Sequence, residues 1–193
     1  EPIAMRTPPG QRFDGIRVVP PPGAFLQATA HGQAVLTAAM IEAVGGAGHV
    51  ADLFAGCGTF ALPLARGAEV HAVEGEAAML RALDEGWRKA EGLKKVTTEA
   101  RDLFRNPLLP QELERYDALV LDPPRAGAEA QVRQIAESKV PVLGFVSCNP
   151  VTFARDAAVL RAGGYLLDWV QVVDQFRWSS HIELAARFSR AHI

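Results

Sequence analysis

Cysteine is nearly missing from this chain. Its 193 residues hold two, Cys57 and Cys148, far apart and in no C-x-x-C pair. Neither a disulfide framework nor a structural zinc site is therefore expected, and no metal site of any kind. Such usage fits a reducing, intracellular compartment, with the cytoplasm as the expected location. Long apolar runs are missing too. No stretch approaches the ~18 uninterrupted apolar residues of a membrane span, and the first residues lack a signal-peptide layout, so no membrane association is expected. Excess charge of one sign is likewise absent: a formal charge of -2 leaves no overall basic footprint for nucleic acid. The one basic stretch is the tail, with Arg177, His181, Arg187, Arg190 and His192 against Glu183 alone. Charge by itself reads that tail as a solvated surface.

What is there is ordinary globular material, 49% hydrophobic and 22% charged, long enough for one domain with a substantial core. The first residue is Glu1 rather than Met, and the chain is expected to be processed or excised from a longer protein. Residues 1–28 read as an extended lead-in punctuated by Pro8-Pro9-Gly10 and Pro20-Pro21-Pro22-Gly23, with a short strand around Ile16–Val19. Residues 29–193 form the domain. Helical spacing over Thr29–Val44 ends at Gly45-Gly46, and strands then alternate with helices. Strands are expected at His49–Phe54, Glu69–Val73, Lys95–Glu99, Asp117–Leu121 and Pro141–Ser147. Helices are expected from the glycine turn through Arg66, over Glu76–Glu91, Ala128–Ser138 and Pro150–Arg161. Two further strands, Tyr165–Asp174 and Ile182–Phe188, have no helix between them. This order predicts an α/β fold: a doubly wound, Rossmann-like, mostly parallel seven-stranded sheet with an antiparallel last strand.

In such sheets ligands bind beyond the carboxyl ends of the strands. Asp52-Leu53-Phe54-Ala55-Gly56-Cys57-Gly58-Thr59 closes the first of the alternating strands, and its glycines let a ligand approach the backbone at a helix start. Glu74 ends the next strand, 22 positions after Asp52, where an acid can accept hydrogen bonds from both hydroxyls of a ribose. A dinucleotide site competes for this pattern. The third glycine of its fingerprint is missing, however, and the turn opens on an acid. Asp102 adds a further acid after the third strand, where an adenine amino group could be held. The spacing favours S-adenosylmethionine and the class I methyltransferase fold.

Two more strand ends carry chemistry. Asp122-Pro123-Pro124-Arg125 is stiffened by consecutive prolines and could hold a carboxylate rigidly beside a methyl donor. In Ser147-Cys148-Asn149-Pro150, Asn149 suits an N-cap and Pro150 the first helical position. Cys148 is thus expected just ahead of a helix N-terminus, where free N–H groups favour a thiolate and lower the thiol pKa.

The sequence resembles the RNA 5-methyluridine methyltransferase family. The matching segments, in the family's order, are Phe25-Leu26-Gln27, the Asp52–Thr59 turn, Glu74, Asp122-Pro123-Pro124-Arg125 and Ser147-Cys148-Asn149-Pro150 with Arg155-Asp156. Asp174-Gln175-Phe176 leading to His181-Ile182-Glu183 completes the set. The resemblance implies transfer of a methyl group from S-adenosylmethionine to carbon 5 of a uridine in rRNA or tRNA, with Cys148 as nucleophile and Glu183 as base. It further implies that Gln27, Phe54, Thr59, Glu74 and Asp122 line the cofactor site, to which position adds Asp52, Gly56 and Asp102. His181 and Cys57 read as structural. Thr29 stands where the family often has asparagine, and Arg177 then Trp178 where it carries a proline. The N-terminal RNA-binding barrel common in the family and the cysteines of its iron–sulfur members are absent from this chain. RNA affinity is therefore expected mainly on a missing segment. Two other function classes share parts of this pattern. An amino-group methyltransferase of nucleic acid or protein needs the proline loop but neither Cys148 nor Glu183. A non-catalytic cofactor-binding module would leave the chemistry to a partner.

Overall fold

The computed structural model describes residues 8–176 and 178–190; Arg177 and His192 of the basic tail lie outside them. The strand expected near Ile16 is present as β2 (Ile16–Val18), and it pairs with a second one, β1 (Gln11–Phe13), that the sequence did not announce. Asp14 and Gly15 between them both have positive φ, the conformation that an Asp-Gly hairpin turn requires. Phe13, Ile16 and Val18 point inward and belong to the core.

The remaining elements are α1 (Ala30–Val44), β3 (His49–Leu53), α2 (Ala61–Leu64), β4 (Glu69–Glu74), α3 (Ala77–Lys89) and β5 (Val96–Ala100). After these come α4 (Pro110–Leu113), β6 (Ala118–Leu121), α5 (Glu129–Glu137), β7 (Val142–Ser147), α6 (Pro150–Ala162), β8 (Tyr165–Val173) and β9 (Glu183–Arg190). The expected helix through Arg66 is shorter than its pattern: α2 is a single turn, with Ala65 as its C-cap. The short α4 went unforeseen, its Pro110 start resembling a loop in composition.

Seven strands form one sheet in the order β5-β4-β3-β6-β7-β9-β8. The five from β3 to β7 are parallel to one another. β9 runs antiparallel to both β7 and β8. The fold class expected from the alternation is the one observed. Strand order reverses between β3 and β6, which opens the crevice where such sheets bind ligands.

Burial on both faces explains the sequence of the central strands: all four residues of β6 are buried, which alternation would forbid. One face packs against α1, α2, α3 and the hairpin, the other against α4, α5 and α6. On the first face α1 approaches β7 so closely that a Cβ on Gly144 would lie 2.8 Å from Met40 Sδ. Fully buried Leu36 and Met40 sit there, each contributing about 1.5–3 kcal/mol through burial. Two of the tail's cations, Arg187 and Arg190, are engaged within the fold. Arg187 pairs with Asp168 and donates to the Ala43 carbonyl, while Arg190 lies over the Tyr165 ring, 4.4 Å from its centroid.

Candidate active site

Because β3 to β7 are parallel, their carboxyl ends share one edge, and the predicted residues at those ends are gathered along it. The β3 turn comes first. Phe54 adopts a left-handed φ of 63°, unusual for a bulky side chain. The conformation turns the chain sharply out of the sheet, and the Phe54 ring meets Phe104 at 5.3 Å. Gly56 and Gly58 also have positive φ, and a Cβ on Gly58 would lie 2.8 Å from Leu83 Cγ. Thr59 is half-buried at the end of this turn.

Glu74, at the end of β4, grips that turn. Its carboxylate accepts from Gly56 N–H at 3.0 Å and from Glu76 N–H at 2.9 Å. A carboxylate has about four acceptor sites, so two backbone bonds leave room for a diol. Asp102, after β5, is half-exposed and accepts from Phe104 N–H and Arg105 N–H at 3.0 and 3.2 Å. It thereby shapes the loop that carries Phe104. Arg101 ties the same loop down, bonding to Glu112 at 2.7 Å and to the carbonyls of Asn106 and Pro107 at 2.7 and 2.8 Å.

Asp52 is fully buried, and neither carboxylate oxygen has a hydrogen bond of good geometry. Burial first, then the nearby Asp122 charge, pushes its pKa well up; the Ala61 N–H opposes this only in part. An unpaired buried carboxylate is costly unless it is protonated or meets a partner from outside. The turn, the gripped acid and this orphaned acid together fit a cofactor with a ribose and a cationic end.

The second half of the site lies around β6, β7 and β9. Asp122, after β6, is pushed up to about 7, chiefly by burial and then by the charge of Glu183. Ser147 pairs with Leu184 across the β7–β9 ladder, so the next pair in register is Cys148 and Glu183. The buried carboxyl of Glu183 is pushed up by desolvation, which the nearby Gln175 side chain partly opposes.

One expectation is overturned here. Asn149 does cap α6, accepting from Val151 N–H at 3.0 Å with Pro150 following, but the Cys148 thiol pKa is raised rather than lowered. Desolvation leads, and the charges of Glu183 and Asp122 add to it, outweighing the local backbone and Arg125. Burial, with two facing carboxylates, defeats the helix start.

The proline loop is pinned to α6 by residues whose role the sequence did not show. The Arg125 carbonyl accepts from Asn149 Nδ2 at 3.0 Å and Thr152 Oγ1 at 3.3 Å, and Arg155 donates to the Ala126 carbonyl at 3.1 Å. Fully buried Asp156 accepts from Ala128 N–H at 2.8 Å and pairs with Arg155. Asp122 is held beside Cys148 by this clamp. Its available signal was an Arg-Asp pair in the first turns of a helix, with the acid on the inward face.

Gln27, ahead of α1, reaches the same region: its Oε1 accepts from Gln175 Nε2 at 2.9 Å. Of the predicted residues, Asp122, Cys148 and Glu183 thus form one electrostatic group. Asp52, Phe54, Gly56, Thr59 and Glu74 belong to the β3–β4 turn beside it, and Asp102 lies at the outer end of the edge.

Residues 86–190 match the family model described as tRNA (uracil-5-)-methyltransferase. An uncharacterized RNA methyltransferase of Rhizobium meliloti is 52% identical over 182 residues, covering 94% of this chain and 44% of that protein. The 23S rRNA (uracil(1939)-C(5))-methyltransferase RlmD of Chromohalobacter salexigens is 42% identical over 165 residues, 84% of this chain and 34% of that one. Among solved structures, the tRNA (uracil-54, C5)-methyltransferase of Pyrococcus abyssi in complex with S-adenosyl-L-homocysteine is similar. It superposes with a TM-score of 0.79 at 27% identity, over 93% of this chain and 43% of that one. The chain thus spans less than half the length of these relatives.

Proposed function

The chain belongs to the tRNA (uracil-5-)-methyltransferase family, and from that premise we propose that it is the catalytic domain of an S-adenosylmethionine-dependent RNA uracil-C5 methyltransferase. Residues 29–193 make up that domain, and the lead-in of residues 1–28 contributes Phe13, Ile16 and Val18 to its core. The rest of the intact protein supplies most of the RNA affinity, and its substrate is a uridine in rRNA or tRNA in the cytoplasm. No helix among the described residues is long and apolar enough to cross a membrane.

The observation that carries this reading is the meeting of Cys148, Asp122 and Glu183. Glu74 and Gln27, with the Phe54 wall and the Asp52–Thr59 turn, would hold S-adenosylmethionine, which supplies an electrophilic methyl group when bound. Carbon 5 of uracil is a weak nucleophile. Cys148, as thiolate, adds to carbon 6, and the electron pair displaced from the 5,6 double bond makes an enolate that is nucleophilic at carbon 5. Once carbon 5 bears the methyl group, Glu183 takes its proton, the double bond reforms and Cys148 leaves as thiolate. Asp122, near pKa 7, is well matched to exchange protons at neutral pH. Positive charge brought beside the three groups lowers all their pKa values, so the thiolate is favoured only in the loaded site.

Cys148→Ala and Glu183→Gln must therefore fail differently in the intact protein. The first yields neither product nor RNA adduct. The second still methylates but cannot release, so methylated RNA accumulates on Cys148 as a slow band on a denaturing gel. Normal turnover by Glu183→Gln refutes the scheme, and methylation by Cys148→Ala replaces it with an amino-group methyltransferase.

A further inference from the structure

β9 runs antiparallel to both β7 and β8. The carboxyl end of β8 therefore lies on the same edge of the sheet as that of β7, where Cys148 follows the strand. The link from β8 to β9, over residues 174–182, stands beside the site. Its root is fixed. Gln175 Nε2 donates to Gln27 Oε1 at 2.9 Å, 148 positions away, and Gln175 Oε1 accepts from Thr29 N–H at 3.3 Å. Gly32 leaves the room for this, since a Cβ there would overlap that oxygen. The rings of Phe176 and His181 meet edge to face at 6.1 Å across the base of the loop. At its tip Ser179 N–H donates to the Phe176 carbonyl at 3.1 Å, which puts Trp178 at the third position of a four-residue turn. Trp178 has φ 67°, a conformation that turns ordinarily give to glycine or asparagine at that position, and it is fully exposed, at 102%. Two other non-glycine residues with positive φ, Asp14 and Phe54, serve a hairpin turn and a ring contact with Phe104. Trp178 joins an unfavourable backbone conformation to an unburied indole, and the fold gains from neither.

We propose that Trp178 is a stacking platform for the nucleobase next to the target uridine in the RNA strand. This rests on the reading of the chain as an RNA uracil-C5 methyltransferase. For carbon 6 of the uridine to reach Cys148, the base must leave its stack, and its neighbours lose a stacking partner. A flat indole at the rim of the site offers them a replacement face, and it accepts any base because every base has a π-face. Full exposure is what such a platform requires, and the anchored root of the loop keeps the ring at the rim. With a formal charge of -2 the chain has no general attraction for phosphates, so an uncharged contact adds affinity where a basic surface does not. Proton and methyl transfer stay with Cys148, Asp122 and Glu183.

The test uses the intact protein with two variants, and unmodified tRNA and 23S rRNA transcripts as substrates. Trp178→Asn removes the ring with a residue that suits the turn, and Trp178→Phe keeps a ring. Trp178→Asn should raise KM for the methylated transcript roughly 5- to 100-fold, the effect of one lost base–aromatic stack, with kcat within about twofold of wild type. Its RNA binding should weaken without a change in salt dependence, because no phosphate contact is lost. Trp178→Phe should stay within about fivefold of wild type in KM. Its urea unfolding midpoint aside, Trp178→Asn should also be no less stable than wild type, since asparagine tolerates the left-handed conformation. An unchanged KM in Trp178→Asn overturns the proposal. So does a lowered urea midpoint in that variant, which marks the indole as covered by another part of the intact protein. Equal losses in the two variants overturn it as well, because stacking tolerates a change of ring. If the wild type forms no 5-methyluridine in either transcript, the reading of the enzyme fails and this inference with it; wild-type product beside an unchanged KM in Trp178→Asn sinks this inference alone.

Discussion

Asp122→Asn replaces a carboxyl held near pKa 7 by an amide that does not titrate. Burial is the larger cause of the shift from 3.8, and the Glu183 charge the second. The folded-state pKa thus lies above the unfolded one, so the fold favours the protonated form. Below about pH 4 both states hold the proton and the wild type bears no penalty. As the pH rises toward 7 the unfolded chain releases its proton freely, the folded chain does not, and each unit costs the fold about 1.4 kcal/mol. A gap of about three units sets a ceiling near ~4 kcal/mol, and water reaching a half-buried side chain lowers it to about 2–4 kcal/mol. Asparagine escapes this cost. The stability of Asp122→Asn relative to wild type should therefore increase by that amount between pH 4 and pH 8, whatever its offset at either end. Urea unfolding of both proteins at pH 4, 6 and 8 measures the difference. A difference independent of pH shows that Asp122 ionises like an exposed aspartate, and removes it from proton exchange in the site. The expected gain in stability at the expense of activity is the common signature of a group kept for chemistry.

Two further outcomes bear on how the site is held. Glu74→Ala should weaken S-adenosylhomocysteine binding by ~1.5–3 kcal/mol, the range for hydrogen bonds to charged groups, because it removes the proposed ribose acceptor and frees Gly56 N–H and Glu76 N–H; calorimetry with unchanged affinity refutes that role. Gly127→Ala should cost about 2–4 kcal/mol in urea unfolding, from a left-handed residue gaining a Cβ and a disturbed buried hydrogen bond. Gly127 has φ 78°, and the new Cβ would lie 2.5 Å from Arg155 Nη2 and 2.7 Å from Asp156 Oδ2. An unshifted unfolding midpoint shows that the clamp yields freely.

The sheet was legible because burial on both faces writes apolar runs such as Ala118–Leu121, and because Gly45, Asn149 and Pro150 punctuate its helices. The strand β1 at Gln11–Phe13 escaped because its residues, QRF, are too few to show a period. Positions at strand ends could be read from spacing alone, which is why Asp52, Glu74 and Asp122 were identifiable before any coordinates. Interactions between those positions could not. The thiol of Cys148 illustrates this: its own segment predicts a lowered pKa, and burial in the assembled sheet, joined by the charges of Glu183 and Asp122, 35 positions later and 26 earlier, reverses the sign. Gln175 is a similar case, since nothing local to it announces Gln27 or Gly32.

The strand order has a consequence for assembly. β8 pairs with β9 alone and has no ladder with β7. During synthesis, β8 therefore has no place in the sheet until the strand made after it arrives to bridge the gap. A hairpin of β8 and β9 can form locally and dock on β7 as a unit, which keeps this step low in contact order. That docking is also the event that sets Glu183 opposite Cys148. Cys148 and Glu183 therefore come together only when the sheet is complete, and a chain stalled before β9 leaves Cys148 at an open sheet edge without Glu183 opposite it.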